Sequence, residues 1–373
     1  MTKSTQLLGE IKQKRAEYVR SRRVAYKRYK HFLVHSRVPA GQYDWRVQKL
    51  IVNVPEVLDL EENRAATLEV ARACRTNCFV HKQQTLLDFR GTKSISSSAI
   101  LYLVAEIDRC RKLSGVRMLD GTYPKDTRLK RQMRDAGFYD ALGVRCEMSE
   151  RPKVFPLEYI KVRSGTLADG RLARELRVAL LGPHAEQIER EKSKSFFRAM
   201  TEAMTNVVHH AYPADWNNGP VRLIDKGWWM LGHINRLSKN LKIMIVDQGI
   251  GIPRSLPRKH AEVLRSLFTK LGLAQEDDGN MIHAAMELGR SRLEQSHRGK
   301  GLNDLKQIIN ICNAGTLRIL SKKGEYRYRI RGGKVEERAL THDESLNGTL
   351  VEWIIPLNAI LPLLSIEEAS EET

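Results

Sequence analysis

The segment KIMIVDQGIGIP, from Lys242 to Pro253, constrains the fold of this 373-residue chain more than any other. Its apolar run predicts a strand that ends at Asp247. Gly249 and Gly251 follow at once, and glycine lets the backbone turn sharply and approach a ligand closely. We therefore expect a strand that carries a carboxylate to its end, beside a turn that can contact a bound molecule.

Strands and helices alternate in residues 46–150, which we call the first region. A strand and turn are predicted at 49–60, strands at 84–91 and 116–121, and helices at 62–77, 94–115 and 126–142. This alternation predicts an α/β domain with an at least partly parallel sheet. Residues 39–45, PAGQYDW, have the proline and glycine content of a linker before it.

A helix predicted over residues 186–212 has two unlike faces. At 100° per residue, its apolar side chains fall in one sector that we expect to be buried: Phe196, Phe197, Met200, Met204, Val207, Val208 and Ala211. Glu202 and Asn206 fall on the opposite side, flanked by His209 and His210. A carboxylate, an amide and imidazoles side by side fit either a solvated surface or a reactive site.

Two further glycine motifs follow in the chain. Gly299, Lys300 and Gly301 lead directly into an amphipathic helix that begins near Leu302. Free backbone N–H groups at such a junction bind phosphate, and the helix dipole assists. Later, a turn at Gly348 and Thr349 precedes an apolar strand.

In this order and spacing, the four segments resemble the motifs of the GHKL ATP-binding fold, which gyrase B, a heat-shock chaperone family, MutL and histidine kinases share. The resemblance covers residues 151–360, which we call the second region. The stretch TEAMTNVVHHAY, from Thr201 to Tyr212, is most similar to the serine kinases of the anti-sigma-factor group. The resemblance implies an α/β sandwich that binds ATP with Mg²⁺.

The resemblance also implies roles for single residues. Asp247 would accept the amino group of adenine, and Asn206 would bind Mg²⁺ through its amide oxygen, a hard ligand of the kind this ion requires. Glu202, one helical turn from Asn206, would orient or deprotonate the group that attacks the γ-phosphate. The remaining candidates would line the adenine end (Gly249, Gly251 and Thr349), bind phosphates by backbone N–H (Gly299, Lys300, Gly301 and Leu302) or neutralise charge (Lys300, Arg298 or His210).

The first region resembles the STAS domain of anti-sigma-factor antagonists through the stretch LLDFRGTKSISSSAILYLVAEI. In that family a serine at the start of a helix is phosphorylated by a partner kinase. Here Ser96, Ser97, Ser98 and Ala99 occupy these positions, without the acidic residue and the glycine of the family motif. Two interpretations of these serines are therefore open: they cap the N-terminus of a helix, or they accept phosphate.

The chain ends and the lid complete the expected organisation. Residues 252–298 are far longer than an ordinary loop and fit an ATP lid with two helices. We expect residues 1–45 to be a basic helical segment and residues 361–373 to be an acidic tail. Of the net charge of +19, +10 lies in residues 1–50, so this arm could contact nucleic acid or an acidic protein surface.

Three functions remain open from the sequence. The first is an ATPase that acts as a nucleotide-driven switch and regulates a protein partner through the STAS-like region. The second is a serine kinase that phosphorylates a STAS serine, and the third is a module that binds ATP without turnover. Five scattered cysteines and no apolar run long enough for a membrane span lead us to expect a cytoplasmic protein, with no membrane contact. We also expect a homodimer, as in GHKL relatives, with Trp228, Trp229 and the YLVAEI helix face available for its interface.

Overall fold

The computed structural model describes residues 42–44, 49–114, 117–148, 157–168, 170–171, 175, 190–213, 227–273, 277–291 and 301–360. The strands are β1 (Gln42–Asp44), β2 (Lys49–Asn53), β3 (Val57–Leu58), β4 (Thr85–Asp88), β5 (Ser94–Ile95), β6 (Leu119–Gly121), β7 (Leu157–Gly165), β8 (Trp228–Asn235), β9 (Asn240–Asp247), β10 (Gly315–Ser321), β11 (Gly324–Arg331), β12 (Lys334–Thr341) and β13 (Thr349–Pro356). The α-helices are α1 (Arg64–Thr76), α2 (Ser97–Ser114), α3 (Thr127–Ala136), α4 (Phe138–Leu142), α5 (Arg190–Asn206), α6 (Ile252–Leu271), α7 (Asp278–Ser291), α8 (Asp304–Cys312) and α9 (Leu357–Ile360). The predicted mixed α/β class is confirmed. In the described part of the chain, no helix is both long enough and apolar enough to span a membrane.

The first region contains a small sheet in the order β1-β2-β4-β6. Strands β2, β4 and β6 are parallel, as the alternation of strands and helices predicts, and β1 pairs with β2 in the antiparallel direction. Residues 42–44 therefore form an edge strand of this sheet, although the sequence places them in a linker. A short edge strand leaves little local signal, since its pairing depends on a neighbouring strand.

Helix α2 lies at the centre of the molecule. Every residue from Ser97 to Cys110 is buried, because the helix packs on α1 on one side and on β8 and β9 of the second region on the other. A helix that is buried all round must be apolar all round or must pair its polar groups. Its buried Glu106 accepts a hydrogen bond from Arg75, and its buried Asp108 accepts one from the indole N–H of Trp229.

The second region is built on a seven-stranded sheet in the order β12-β11-β10-β13-β9-β8-β7, in which each pair is antiparallel. Helices α5 and α8 pack against one face. The first region covers the other face, where Trp229, Leu231 and Met244 share one apolar core with α2. Trp228 and Trp229 point to opposite faces and are both 1% exposed. The two regions are therefore joined by a common core.

The predicted lid forms a helical hairpin of α6 and α7. It has its own apolar core, which includes Leu264, Phe268 and Met281. Helix α7 also packs across β11 and β12, and the carboxylate of Asp278 accepts a hydrogen bond of 2.8 Å from the backbone N–H of Lys323. The second helix of the hairpin is thus anchored on the sheet.

Two local expectations are wrong. The helix predicted over residues 126–142 is divided into α3 and α4 by Gly137, which adopts φ +90°. On α5, Phe197 is 39% exposed and rests against Gly170, since it lies at the margin of the apolar sector. Val208 is half-buried because a π-helical turn, Val207–Ala211, changes the phase of the helix there.

Candidate functional site

Asp247 lies at the end of β9, between Trp228 of β8 and Thr349 of β13. Its side chain is buried, and its Oδ1 accepts a hydrogen bond of 2.7 Å from the backbone N–H of Gly249. Burial raises the pKa of this carboxyl to about 6, although the backbone N–H groups of Gly249 and Thr349 and the positive charge of Lys322 oppose that rise. The carboxylate keeps acceptor capacity beyond these two donors.

The turn after Asp247 is held against the end of the α5 segment. Ile250 donates its backbone N–H to the carbonyl of Ala211 at 2.9 Å. A β-carbon at Gly249 would lie 2.3 Å from the same carbonyl oxygen, so that only glycine fits here. Gly348 is equally constrained, with φ +85° and a would-be β-carbon 1.9 Å from the Asp247 carbonyl. Three motifs that are far apart in the sequence therefore meet at one end of β9.

Thr349 is part of a hydroxyl pair below this turn. Its Oγ1 lies 2.8 Å from Oγ of Ser321 on β10, and Ser321 also accepts the backbone N–H of Ile252 at 2.9 Å. Ser321 thereby ties the start of α6, just after Gly251, to the floor of the site. The sequence analysis missed Ser321, because its role depends on the non-local pairing of β10 with β13.

Glu202 and Asn206 lie together on α5, as predicted. Both are half-buried, and burial is the main cause that raises the pKa of Glu202. The negative charge of Asp304, the first residue of α8, raises it further, whereas Asn206 and His209 lower it. Asp304 was also missed by sequence reasoning. An amide beside two carboxylates offers the hard oxygen ligands that Mg²⁺ requires.

The motif that is predicted to bind phosphate lies within the described residues only from its second glycine, Gly301. Gly301 begins a short 3₁₀ turn that leads into α8. Leu302 is half-buried and packs against both the main core of the second region and the core of the α6–α7 hairpin. Arg298, Gly299 and Lys300 lie outside the described residues. His209 is exposed and His210 is half-buried, at the π-helical turn after Asn206.

The first region contacts this site from behind. Arg109 of α2, which is 1% exposed, donates a hydrogen bond of 2.8 Å to the side-chain oxygen of Gln248, next to Asp247. The hydroxyl of Tyr102 accepts the backbone N–H of Asn347 at 3.0 Å, in the loop before Thr349. Two polar contacts from one helix thus reach the turns on both sides of Asp247.

The three serines at the start of α2 are all engaged. Oγ of Ser96 accepts the backbone N–H of Ala99 at 3.3 Å, as a cap does, and lies 3.2 Å from Oγ of Ser98. Ser97 is buried, with its Oγ 2.9 Å from both the hydroxyl of Tyr159 and Nε2 of His233. Burial, assisted by the charge of Lys242, lowers the pKa of His233 to about 3, so the imidazole is neutral.

A second cluster with metal-ligand chemistry lies on α7 and β12. It consists of His283, Glu287 and Glu337. The ammonium of Lys306 lies 3.0 Å from Glu337 and 3.7 Å from Glu287, and its charge offsets that of the two carboxylates. We therefore interpret the cluster as an ion-pair network between α7, α8 and β12.

Comparison with known proteins adds no relative. No protein-family model matches the chain, and no curated protein matches it.

Proposed function

We propose that the protein binds ATP with Mg²⁺ at the end of β9 and acts as a nucleotide-driven switch. The observation that carries the proposal is the meeting of Ala211, the Gly249 turn and Thr349 around the buried carboxylate of Asp247. This arrangement supports the resemblance to the GHKL fold, because motifs that lie between residues 201 and 349 of the sequence come together as that resemblance requires.

Each group has a chemical task in the proposed complex. Asp247 would accept the adenine amino group, beside the turn whose glycines, Gly249 and Gly251, pack closely against Ala211 and Lys322. Asn206 holds Mg²⁺, and Asp304 and Glu202 add negative charge near it. The bound ion would neutralise phosphate charge. Backbone N–H groups of Gly301 and Leu302 would bind the phosphates near the start of α8, where the helix dipole favours anions. The resemblance implies the same role for Gly299 and Lys300, which lie outside the described residues.

Glu202 is the proposed general base. Its raised pKa makes the carboxylate a better proton acceptor than an ordinary surface glutamate. It would orient or deprotonate the water that attacks the γ-phosphate. Catalysis of this kind depends mainly on position and charge, which suits a group fixed on a helix.

We propose that a conformational change at the nucleotide site is transmitted to the first region. Arg109 and Tyr102 of α2 hold the turns that flank Asp247, so a change in those turns on ATP binding would alter the packing of α2. The STAS-like first region would then regulate a protein partner.

We retain the homodimer as part of this proposal. Trp228, Trp229 and the YLVAEI stretch are buried inside the chain, so they cannot form its interface.

The burial and contacts of the serines at the start of α2 limit which of them a serine kinase could phosphorylate. Ser97 and Ser98 are buried, so phosphorylation of either one would require α2 to separate from its neighbours, such as β8, whereas Ser96 is half-buried and caps α2. A kinase that acts on another STAS protein stays compatible with the site. The basic arm of residues 1–41, the candidate contact for nucleic acid, lies outside the described residues.

Incubation with γ-labelled ATP separates the three functions. Released phosphate is expected for the switch, labelled protein for the kinase, and bound but unchanged ATP for the non-enzymatic module. Asp247→Asn serves as the binding-deficient control. If wild type and Asp247→Asn behave alike, including in nucleotide retention, the proposed site is refuted.

A further inference from the structure

Lys322 is a buried cation at the base end of the proposed site. It follows Ser321 directly, and Ser321, Thr349 and Asp247 lie side by side across β10, β13 and β9. Only 7% of its surface is exposed. A β-carbon at Gly251 would lie 2.9 Å from Cγ and 3.0 Å from Cε of Lys322, so the lysine stem runs along the glycine turn.

The backbone of Lys322 is held in an unusual conformation. Its φ is +55°, a region that residues other than glycine adopt only when the surroundings fix them. Two hydrogen bonds to its carbonyl provide that support, from the backbone N–H of Leu346 at 2.9 Å and from Nη2 of Arg64 at 3.0 Å. Arg64 belongs to α1, so the first region positions this lysine.

The ammonium group of Lys322 lies among charged side chains of the described residues. Asp247 and Asp278 attract it, whereas Arg254 and Arg75 repel it. Among the described residues, none forms a hydrogen bond or an ion pair with its Nζ. A charged group at this depth is costly to bury unless something pairs with it. Among the same described residues, the nearby carboxylate of Asp247 likewise accepts hydrogen bonds only from backbone N–H groups.

We infer that Lys322 is a base-recognition residue, which donates a hydrogen bond to a ring nitrogen of adenine while Asp247 accepts the neighbouring amino group. This inference rests on the proposed function, since it names a second contact in the same site. Adenine offers a donor, the N6 amino group, beside an acceptor, N7 or N1. The acceptor–donor pair of Asp247 and Lys322 complements that edge.

The same pair disfavours guanine. At the N7 edge guanine presents two acceptors, O6 and N7, and at the N1 edge it presents the acceptor O6 beside the donor N1–H. At either edge O6 would face the carboxylate of Asp247. A base that leaves a buried carboxylate without a donor and places an acceptor against it is strongly rejected. Lys322 would therefore recognise a ring nitrogen of adenine, while Asp247 would recognise its amino group.

The test uses the full chain and two matched variants. Lys322→Met keeps the length of the stem and removes the charge, and Lys323→Met makes the same change at the exposed neighbouring position. The affinities of ATP, 7-deaza-ATP and 1-deaza-ATP are measured for each protein by calorimetry. Urea unfolding of the unliganded variants checks that both are folded.

A charged hydrogen bond of this kind corresponds to about tenfold to a hundredfold in affinity. We expect Lys322→Met to lose that factor for ATP, and Lys323→Met to bind like wild type. Wild type is expected to lose a similar factor with one of the two deaza analogues, and Lys322→Met to show no further loss with that analogue.

The measurements distinguish a failure of the inference about Lys322 from a failure of the proposed function. If wild type binds ATP but binds both deaza analogues equally well, or if Lys322→Met binds ATP as tightly as wild type, the role of Lys322 is refuted and the ATP site stands. If neither wild type nor Lys323→Met binds ATP at all, the proposed function falls, and the inference falls with it.

Discussion

Replacing Asp247 by asparagine should stabilise the unliganded protein while abolishing recognition of adenine. Burial raises the pKa of this carboxyl from 3.8 to about 6. For such a group, stability is fully present below the unfolded pKa and is lost as pH rises through the folded pKa. The shift of about 2 units corresponds to about 3 kcal/mol of lost stability at pH 8. Asparagine is neutral and avoids this cost.

A weakened hydrogen bond at position 247 offsets part of this gain in stability. The Asp247 carboxylate accepts backbone N–H groups from Gly249 and Thr349, and an amide can accept only through its one oxygen. One weakened hydrogen bond costs about 1 kcal/mol, so the net gain at pH 8 is about 2 kcal/mol. Near pH 4.5 the carboxyl of the folded protein is protonated, and the two effects should nearly cancel.

Urea unfolding of wild type and Asp247→Asn at pH 8 and pH 4.5, without nucleotide, measures this difference. We expect the variant to be the more stable protein at pH 8 and equal to wild type at pH 4.5. A variant that is less stable at pH 8, or a stability difference that does not change with pH, would refute the reasoning that Asp247 is an ionised carboxylate kept buried for a ligand.

Three further results are expected. Glu202→Ala should still bind ATP, since Asn206 and Asp304 remain near the ion, but stop its hydrolysis or transfer, because the attacking group loses its base; filter binding and phosphate release measure the two separately. Ser97→Asp should lower the free energy of unfolding by about 3 kcal/mol or more, since it buries an uncompensated charge. Ser96→Asp should be tolerated, because aspartate can also cap the helix; thermal unfolding of both variants measures the difference. ATP affinity, measured by calorimetry across pH, should be highest between about pH 6 and 8, because Asp247 gains a proton below its pKa of about 6 and Lys322 loses one above its pKa of about 8.

The elements that the sequence predicts well are those with local signals. The segment RLSKN, residues 236–240, has polar turn residues that predict a hairpin, and β8 and β9 are joined by a turn at residues 236–239. The lid helices α6 and α7 lie within residues 252–298, on the two apolar stretches separated by an acidic turn. Helix α5 has its predicted polar pair, Glu202 and Asn206, on one face. In each case, hydrophobic period and turn residues within the segment suffice to predict the element.

The missed features depend on contacts between distant parts of the chain. The apolar stretch of α2 predicts burial but not its partner, and only the structure places it against β8 and β9. Ser321 and Lys322 enter the site because β10 pairs with β13, which no local pattern encodes. Asp304 faces Glu202 because α8 packs along α5. The division of the chain at residue 150 likewise gave no sign that the two regions share a core.

Photolabelling with 8-azido-ATP in the presence of Mg²⁺ tests the central claim most directly, because the reactive group sits on the base. The account predicts labelled peptides from residues 247–254 or 321–323, protected by excess ATP but not by excess GTP, and absent from Asp247→Asn. Labelling that ATP does not compete, or ATP-protected labelling confined to parts of the chain remote from the end of β9, would contradict it.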